Sequence, residues 1–382
     1  MSTVRVGFII DSLRPGAGTE NQLILLLRSF DRGRITPFVC CLRNESSVSN
    51  AEIHCPIRFL DASKKIASLG GLRSIAAARS WVRANCLQLV ITFFRDANIV
   101  GTLGARWAGV PVVSSRRNLG KGYWHTPSEL RLLRFLNHLT YWHVTNSSAV
   151  REYTAQEERV DPRRIEVLPN AIDLGIYYPR GEESREQLRY RLGLPDGFLI
   201  GCVANLRPIK GVDVLLRAFG GSDLLRKKCH LVLVGSGTEE PALRSLAREF
   251  EMEDRVHFLG ARTDVQDILR VLDVAALSSH GESSPNAVLE YMASALPVVA
   301  TAVGGVSELL QAGKGGIVVA SGKPEELRKA LEALFHSPQM RTDLGQVARR
   351  YVEMSFARDQ VVERWTRFIE ESVKRLRQTS SM

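Results

Sequence analysis

Two carboxylates pose the chemical question. In the stretch S-S-H-G-E-S-S-P-N-A-V-L-E-Y-M-A-S-A-L (278–296), Glu282 lies in a polar Ser/Gly loop and Glu290 inside an apolar helical pattern. Ser284 is suited to cap that helix and Pro285 to fill its first position, so the helix is expected to start just after Glu282. Glu290 then stands about a turn and a half further on. Both carboxylates can face a ligand lying over the helix N-terminus. Carboxylates accept hydrogen bonds from vicinal hydroxyls, which makes a sugar or ribose a natural partner. A solvated helix face would account for Glu290 alone, not for the loop carboxylate.

Cations and glycines recur at comparable places. N-L-R-P-I-K-G-V-D-V-L-L (205–216) leaves an apolar run and enters a helical one, placing Arg207 and Lys210 beside Gly211. Cations at a helix start suit a diphosphate, although the GxxxxGK[ST] phosphate loop is absent. R-P-G-A-G-T-E-N (14–21) sets Gly16, Ala17 and Gly18 before the first helical pattern. It is half of a GxGxxG fingerprint, with Asn21 in place of the third glycine. T-A-V-G-G-V-S-E-L-L (301–310) adds Gly304 and Gly305 at another turn into a helix. Each alone reads equally well as a tight turn or a solvated loop. Their shared placement at strand ends points to one large phosphorylated ligand.

The elements that must position these residues alternate along the chain. Strand-like runs cover 4–10, 37–42, 87–92, 110–115 and 143–147, then 198–205, 230–235, 256–260, 273–279, 297–301 and 316–319. Helical periodicity fills the intervals, as at 21–30, 239–252 and 285–294, and after Pro338 the chain reads helical with a break near Phe356. Alternation of this kind predicts parallel α/β layers, and the near-continuous apolar runs of the second half require a sheet covered on both faces. The prolines of 160–180 and the charge run that follows mark the boundary, giving domains 1–178 and 179–356 with a C-terminal helix at 357–382. Two doubly wound Rossmann-like domains facing a cleft are expected. Such folds bind ligands at the carboxyl ends of their strands.

Composition agrees with a globular enzyme. The chain has 382 residues, 45% hydrophobic and 24% charged, too long for one typical core. No apolar run approaches the ~20 residues that span a bilayer, and the N-terminal run stops at Asp11 without signal-peptide features. The six cysteines show no metal-like spacing, which fits a reducing, cytoplasmic setting. A net charge of +10 favours an anionic partner, but no nucleic-acid-binding pattern accompanies it, so no nucleic acid is expected.

The C-terminal half strongly resembles retaining glycosyltransferases of family 4, which have the GT-B fold. The matching residues are K-G-V-D-V-L-L, L-V-L-V-G-S-G, V-H-F-L-G-A-R-T-D-V and the 278–310 segment, where an E-x7-E signature falls on Glu282 and Glu290. N-A-I-D-L-G-I-Y-Y-P (170–179) is similar to the element before the interdomain linker, and the 14–21 glycine loop matches less specifically. The resemblance implies that Glu290 holds the ribose of a UDP- or GDP-sugar. It implies that Glu282 contacts the transferred sugar, helped by the backbone of Ser283, Ser284, Pro285, Asn286 and Ala287. Lys210 would neutralise the diphosphate, with Gly16–Gly18 closing over it and Gly304–Gly305 nearby. It further implies a front-face mechanism with no cofactor, no protein base and no metal. The C-terminal helix is expected to cross back to the N-terminal domain.

Three departures stand out. Asn205 occupies the family's usual arginine position, and Arg207 is expected to supply the charge. Ala171 and Ala295 replace frequent glycines. Where many members carry a histidine, S-S-R-R-N-L-G (114–120) offers Arg116 or Arg117 for binding phosphate. The stretch 116–142 interleaves basic residues with Tyr123, Trp124, Phe135, Tyr141 and Trp142. Arg116, Arg117, Lys121 and Trp124 are the acceptor-side candidates, on a segment suited to an anionic membrane surface or a lipid-diphosphate acceptor. The expected function is transfer of a hexosyl or N-acetylhexosaminyl group to a glycan or lipid-linked acceptor in bacterial polysaccharide assembly, at the inner membrane face. A sugar-nucleotide epimerase of the same fold and a non-catalytic nucleotide- or glycan-binding module are the alternatives.

Overall fold

A computed structural model describes residues 3–14, 16, 18–45, 48–62, 68–119, 126–179, 181, 184–313 and 315–380. The chain forms two compact units, one running to Ala171 and resuming at Arg358, the other spanning Ile172–Ala357. The first holds seven strands: β1 (Val4–Ile10), β2 (Ile35–Cys41), β3 (Ile57–Phe59), β4 (Leu89–Phe93), β5 (Val112–Arg116), β6 (Trp142–Thr145) and β7 (Ile165–Val167). All pair in parallel, in the order β3-β2-β1-β4-β5-β6-β7. The second holds six: β8 (Phe198–Val203), β9 (Cys229–Val234), β10 (Val256–Phe258), β11 (Val274–Leu277), β12 (Val298–Thr301) and β13 (Gly316–Val319). These also pair in parallel, in the order β10-β9-β8-β11-β12-β13.

Every residue of β4, β5, β11 and β12 is buried, as helices on both sheet faces require. Each sheet reverses its strand order once, between β1 and β4 and between β8 and β11. Crevices at such reversals, outside the carboxyl ends of the strands, are where doubly wound sheets take ligands.

The units divide at 171/172, seven residues before the expected 178/179. The buried side chain of Gln22 explains this: it donates to Ala171 O at 2.9 Å and accepts from Ala171 N at 2.7 Å, tying that residue to the first unit. Ile172 instead donates to Phe356 O at 2.9 Å and joins the second core. The helix Arg358–Ser380 belongs to the first unit, burying Val361, Trp365, Ile369 and Val373 in its core. Arg34 clasps the same helix through Glu363 at 2.6 Å and Glu370 at 2.7 Å. Among the described residues no helix is long and apolar enough to cross a membrane.

Candidate functional site

In the second unit the loops after β8 and β11 converge. After β8 the backbone turns through Asn205 and Arg207, makes one 3-10 turn over Pro208–Lys210, and starts the helix Val212–Gly220 from Gly211. Gly211 has φ +54°, and a Cβ there would lie 2.4 Å from Ser278 O. Only glycine lets the two loops approach this closely. The approach brings Lys210 Nζ to 2.5 Å from Glu282 Oε1, and Ser279 Oγ donates to the same oxygen at 2.7 Å. The Glu282 side chain keeps 8% of its surface exposed and that of Lys210 24%, so this pair is mostly out of water.

Other contacts pin the Glu282 loop. Thr301 Oγ1, at the end of β12, donates to Ser279 O at 2.6 Å, and His280 N donates to Ile209 O at 2.8 Å. Gly211→Ala is therefore expected to cost about 2 kcal/mol of stability and to separate Lys210 from Glu282. Chemical denaturation reads the first effect and kcat for sugar transfer the second.

The helix bearing Glu290 runs Asn286–Ala293, with Pro285 rather than Ser284 as its N-cap residue. It starts one residue later than the sequence predicts, because Pro285 adopts an extended ψ of 118°. Glu290 is partly buried beside Tyr177, whose hydroxyl donates to its carboxylate. Desolvation raises the Glu290 pKa to about 7, and the hydrogen bond from Tyr177 opposes that rise. Burial and the adjacent carboxylate push the Tyr177 hydroxyl upward in turn. Tyr177 escapes sequence reasoning because it sits in a proline-bounded segment that reads as a linker. Ser279 escapes it as one serine among several.

The remaining donor-side candidates divide. Asn205 and Arg207 are exposed, and Arg207 has no ion-pair partner among the described residues. Gly304 has φ +50° and leads into the helix Gly305–Gly313, whose N-terminus therefore follows β12 directly. Ser283, Ser284, Asn286 and Ala287 are partly buried around the N-terminus of Glu290's helix, and Pro285 is buried. In the first unit Gly16 has φ +93° and its N–H donates to Asn21 Oδ1 at 2.9 Å, so Asn21 closes the glycine loop. Gly18 opens the helix Gly18–Ser29. Ala17, Lys121 and Trp124 lie outside the described residues.

A separate cavity of about 540 Å³ lies within the first unit, at the carboxyl ends of β1, β4 and β5. Asp11, Phe94, Asp96, Arg117 and Glu129 are among its walls. Asp11 accepts from Ala97 N at 2.8 Å and shares Arg43 with Asp96. Burial raises the Asp11 pKa to about 6. The two acceptor-side arginines part company here. Every guanidinium nitrogen of Arg116 is engaged inside the protein, with Glu158 at 2.8 Å, Asn137 at 3.0 Å and Ser114. Arg116 is thereby committed to the fold and is not available to a ligand. Arg117 faces the cavity with no acid partner among the described residues.

The chain matches two family models, "Glycosyltransferase Family 4" over residues 16–175 and "Glycosyl transferases group 1" over 197–337. It is 34% identical over 229 residues to D-inositol 3-phosphate glycosyltransferase of Kineococcus radiotolerans, covering 54% of this chain and 52% of that one. It is 29% identical over 209 residues to N-acetyl-alpha-D-glucosaminyl L-malate synthase of Bacillus anthracis, covering 54% of each. These matches span about half the length of the curated relatives. HepE of Anabaena, solved with UDP, superposes with a TM-score of 0.84 at 21% identity, over 96% of this chain and 100% of that one. That likeness carries the fold: two Rossmann-like domains of the GT-B type.

Proposed function

We propose that this chain, which belongs to glycosyltransferase family 4, moves a sugar from a nucleotide-diphosphate sugar to a glycan or lipid-linked acceptor with retention at the anomeric carbon. The observation that carries this reading is the Lys210–Glu282 pair at the β8/β11 reversal, followed on the next helix by Glu290. Lys210, with Arg207 as a second cation, balances charge on the departing diphosphate. Glu282 and the start of the helix Asn286–Ala293 hold the sugar, and Glu290 accepts hydrogen bonds from the ribose hydroxyls. Asn205, Gly304 and Gly305 complete the donor contacts of the second unit.

As the bond from the anomeric carbon to the diphosphate oxygen breaks, charge builds on that oxygen. A positioned ammonium stabilises this charge more strongly in the transition state than in the ground state. The bond to the acceptor oxygen forms on the same face, and the acceptor proton leaves to a phosphate oxygen of the departing nucleotide. No side chain is required as base. The UDP of the Anabaena structure supports a uridine nucleotide, and the name of the Bacillus relative supports an N-acetylhexosaminyl group among the hexosyl and N-acetylhexosaminyl choices.

A panel of UDP-, GDP- and ADP-sugars, followed by mass spectrometry with and without acceptor, tests the reading. Acceptor-dependent transfer supports it. Donor interconversion without acceptor would mean an epimerase, and absence of any turnover a binding module. The helix Pro127–Leu139 leaves Leu132 and Phe135 exposed beside Arg131, which supports attachment to an anionic membrane surface. The chain is expected to sediment with anionic vesicles at low salt, and Phe135→Ser to release it. Failure to sediment alongside a known binder would sink the membrane reading.

A further inference from the structure

Among the described residues, one cation in the wall of the first unit's cavity has no ion-pair partner. Arg95 in its wall is paired with Glu129 at 3.3 Å and Arg116 with Glu158 at 2.8 Å, while nearby Arg43 is shared by Asp96 and Asp11. Arg117 differs from all three. Among the described residues it makes no ion pair; its Nε donates to Ser115 Oγ at 3.1 Å and its Nη1 to Asn170 Oδ1 at 2.6 Å. The guanidinium carbon lies 5.8 Å from the Phe93 ring centre and 5.7 Å from that of Trp365.

Neutral oxygens and ring faces orient a guanidinium without neutralising it. Burying such a charge unpaired is costly, and here it lowers the Arg117 pKa to about 10. An anion arriving at the fork would relieve that cost and make charge-assisted hydrogen bonds to a group already held in place. The cavity, about 540 Å³, has the size of a small-molecule site. Its other charged wall, Asp11 and Asp96, suits hydroxyl groups.

We propose that Arg117 binds an anionic group of the acceptor, a phosphate or carboxylate, inside this cavity. Calling the ligand an acceptor rests on the glycosyltransferase reading; the anion site itself does not. The anion can belong to a soluble molecule or to a phosphate linked to lipid.

The test uses the full chain, with inorganic phosphate titrated by calorimetry at constant ionic strength and chloride as the blank. Wild-type protein is expected to bind phosphate. Arg117→Met is expected to weaken binding by about ten-fold or more. Because that variant removes a buried group and can misfold, Asn170→Asp is the second arm. It leaves Arg117 in place but sets a carboxylate against Nη1, and the same loss is expected. Phosphate affinity unchanged in a folded Asn170→Asp protein would overturn the proposal, as would no phosphate binding by the wild type.

Competition then separates the sources. Displacement by a soluble sugar phosphate supports a free acceptor, and displacement by phosphate-headgroup vesicles supports a lipid-linked one. Displacement by neither overturns the acceptor assignment. UDP affinity, measured alongside, should stay within about two-fold in both variants. Failure of the wild type to bind UDP would sink the donor reading while leaving the phosphate result standing.

Discussion

Lys210→Met is expected to lower kcat for sugar transfer by about 10²–10³-fold while leaving donor KM nearly unchanged. The ammonium is fixed before the substrate arrives: Glu282 Oε1 lies 2.5 Å away, and Ser279 holds that carboxylate in turn. A preset charge costs no reorganisation when the diphosphate bond breaks. Removing it has a structural consequence as well, since Glu282 would keep its charge with 8% of its side-chain surface exposed and no cation beside it. Breaking one half of such a pair costs roughly 3–5 kcal/mol. Loss of activity in the single variant would therefore mix misfolding with chemistry.

The double variant Lys210→Met/Glu282→Gln separates them. It is expected to recover most of the stability in chemical denaturation and none of the turnover. Recovery of turnover together with stability would show that Lys210 only supports the loop. Lys210→Arg is expected to remain impaired, because a planar fork does not fit where a compact ammonium meets Glu282 and the diphosphate together.

The sequence reports the parts of this site that depend on local pattern. β1 begins and ends at Val4 and Ile10 as its apolar run predicts, and the E-x7-E spacing does place a loop carboxylate ahead of a helical one. The edge strands β3 and β7 are absent from the sequence reading. Ile57–Phe59 and Ile165–Val167 each carry a charged residue, Arg58 or Glu166, at their centre and so make no apolar run, unlike β10, whose V-H-F continues into Leu259.

The divergence of Arg116 and Arg117 is legible in the sequence through strand alternation. Side chains alternate across a strand, so residues two apart share a face. Arg116 is bonded to Ser114 and Arg117 to Ser115, one pair turned to Glu158 and Asn137, the other to Phe93 and Trp365. Alternation alone puts the two arginines on opposite faces. Which face holds a buried glutamate depends on Glu158, far along the chain, and no local rule supplies that. The same limit hides Tyr177, whose partner Glu290 is 113 positions away.

Nucleotide binding is expected to strengthen as pH rises through about 7 and then level off, because Glu290 must shed its proton to accept two ribose hydroxyls. The sign follows from its raised pKa. In the unfolded chain this carboxyl ionises near its ordinary value of 4.5, and in the folded protein only near 7. Its contribution to stability is thus fully present below about 4.5 and lost as pH climbs through about 7. Above that range the ligand-free protein carries a desolvated carboxylate that the nucleotide relieves. Glu290→Gln should then weaken UDP binding by about ten- to a hundred-fold at pH 8 and flatten its pH dependence. It should also stabilise the ligand-free chain at that pH by ~1–3 kcal/mol. Tyr177→Phe makes the complementary change. With the hydroxyl gone, nothing offsets desolvation at Glu290, so the midpoint of the UDP binding profile should move to higher pH. Affinities of the variant and the wild type should converge once both carboxylates are ionised. A uniform loss at every pH would show that Tyr177 touches the nucleotide itself, and an unshifted profile would separate Glu290 from the ribose.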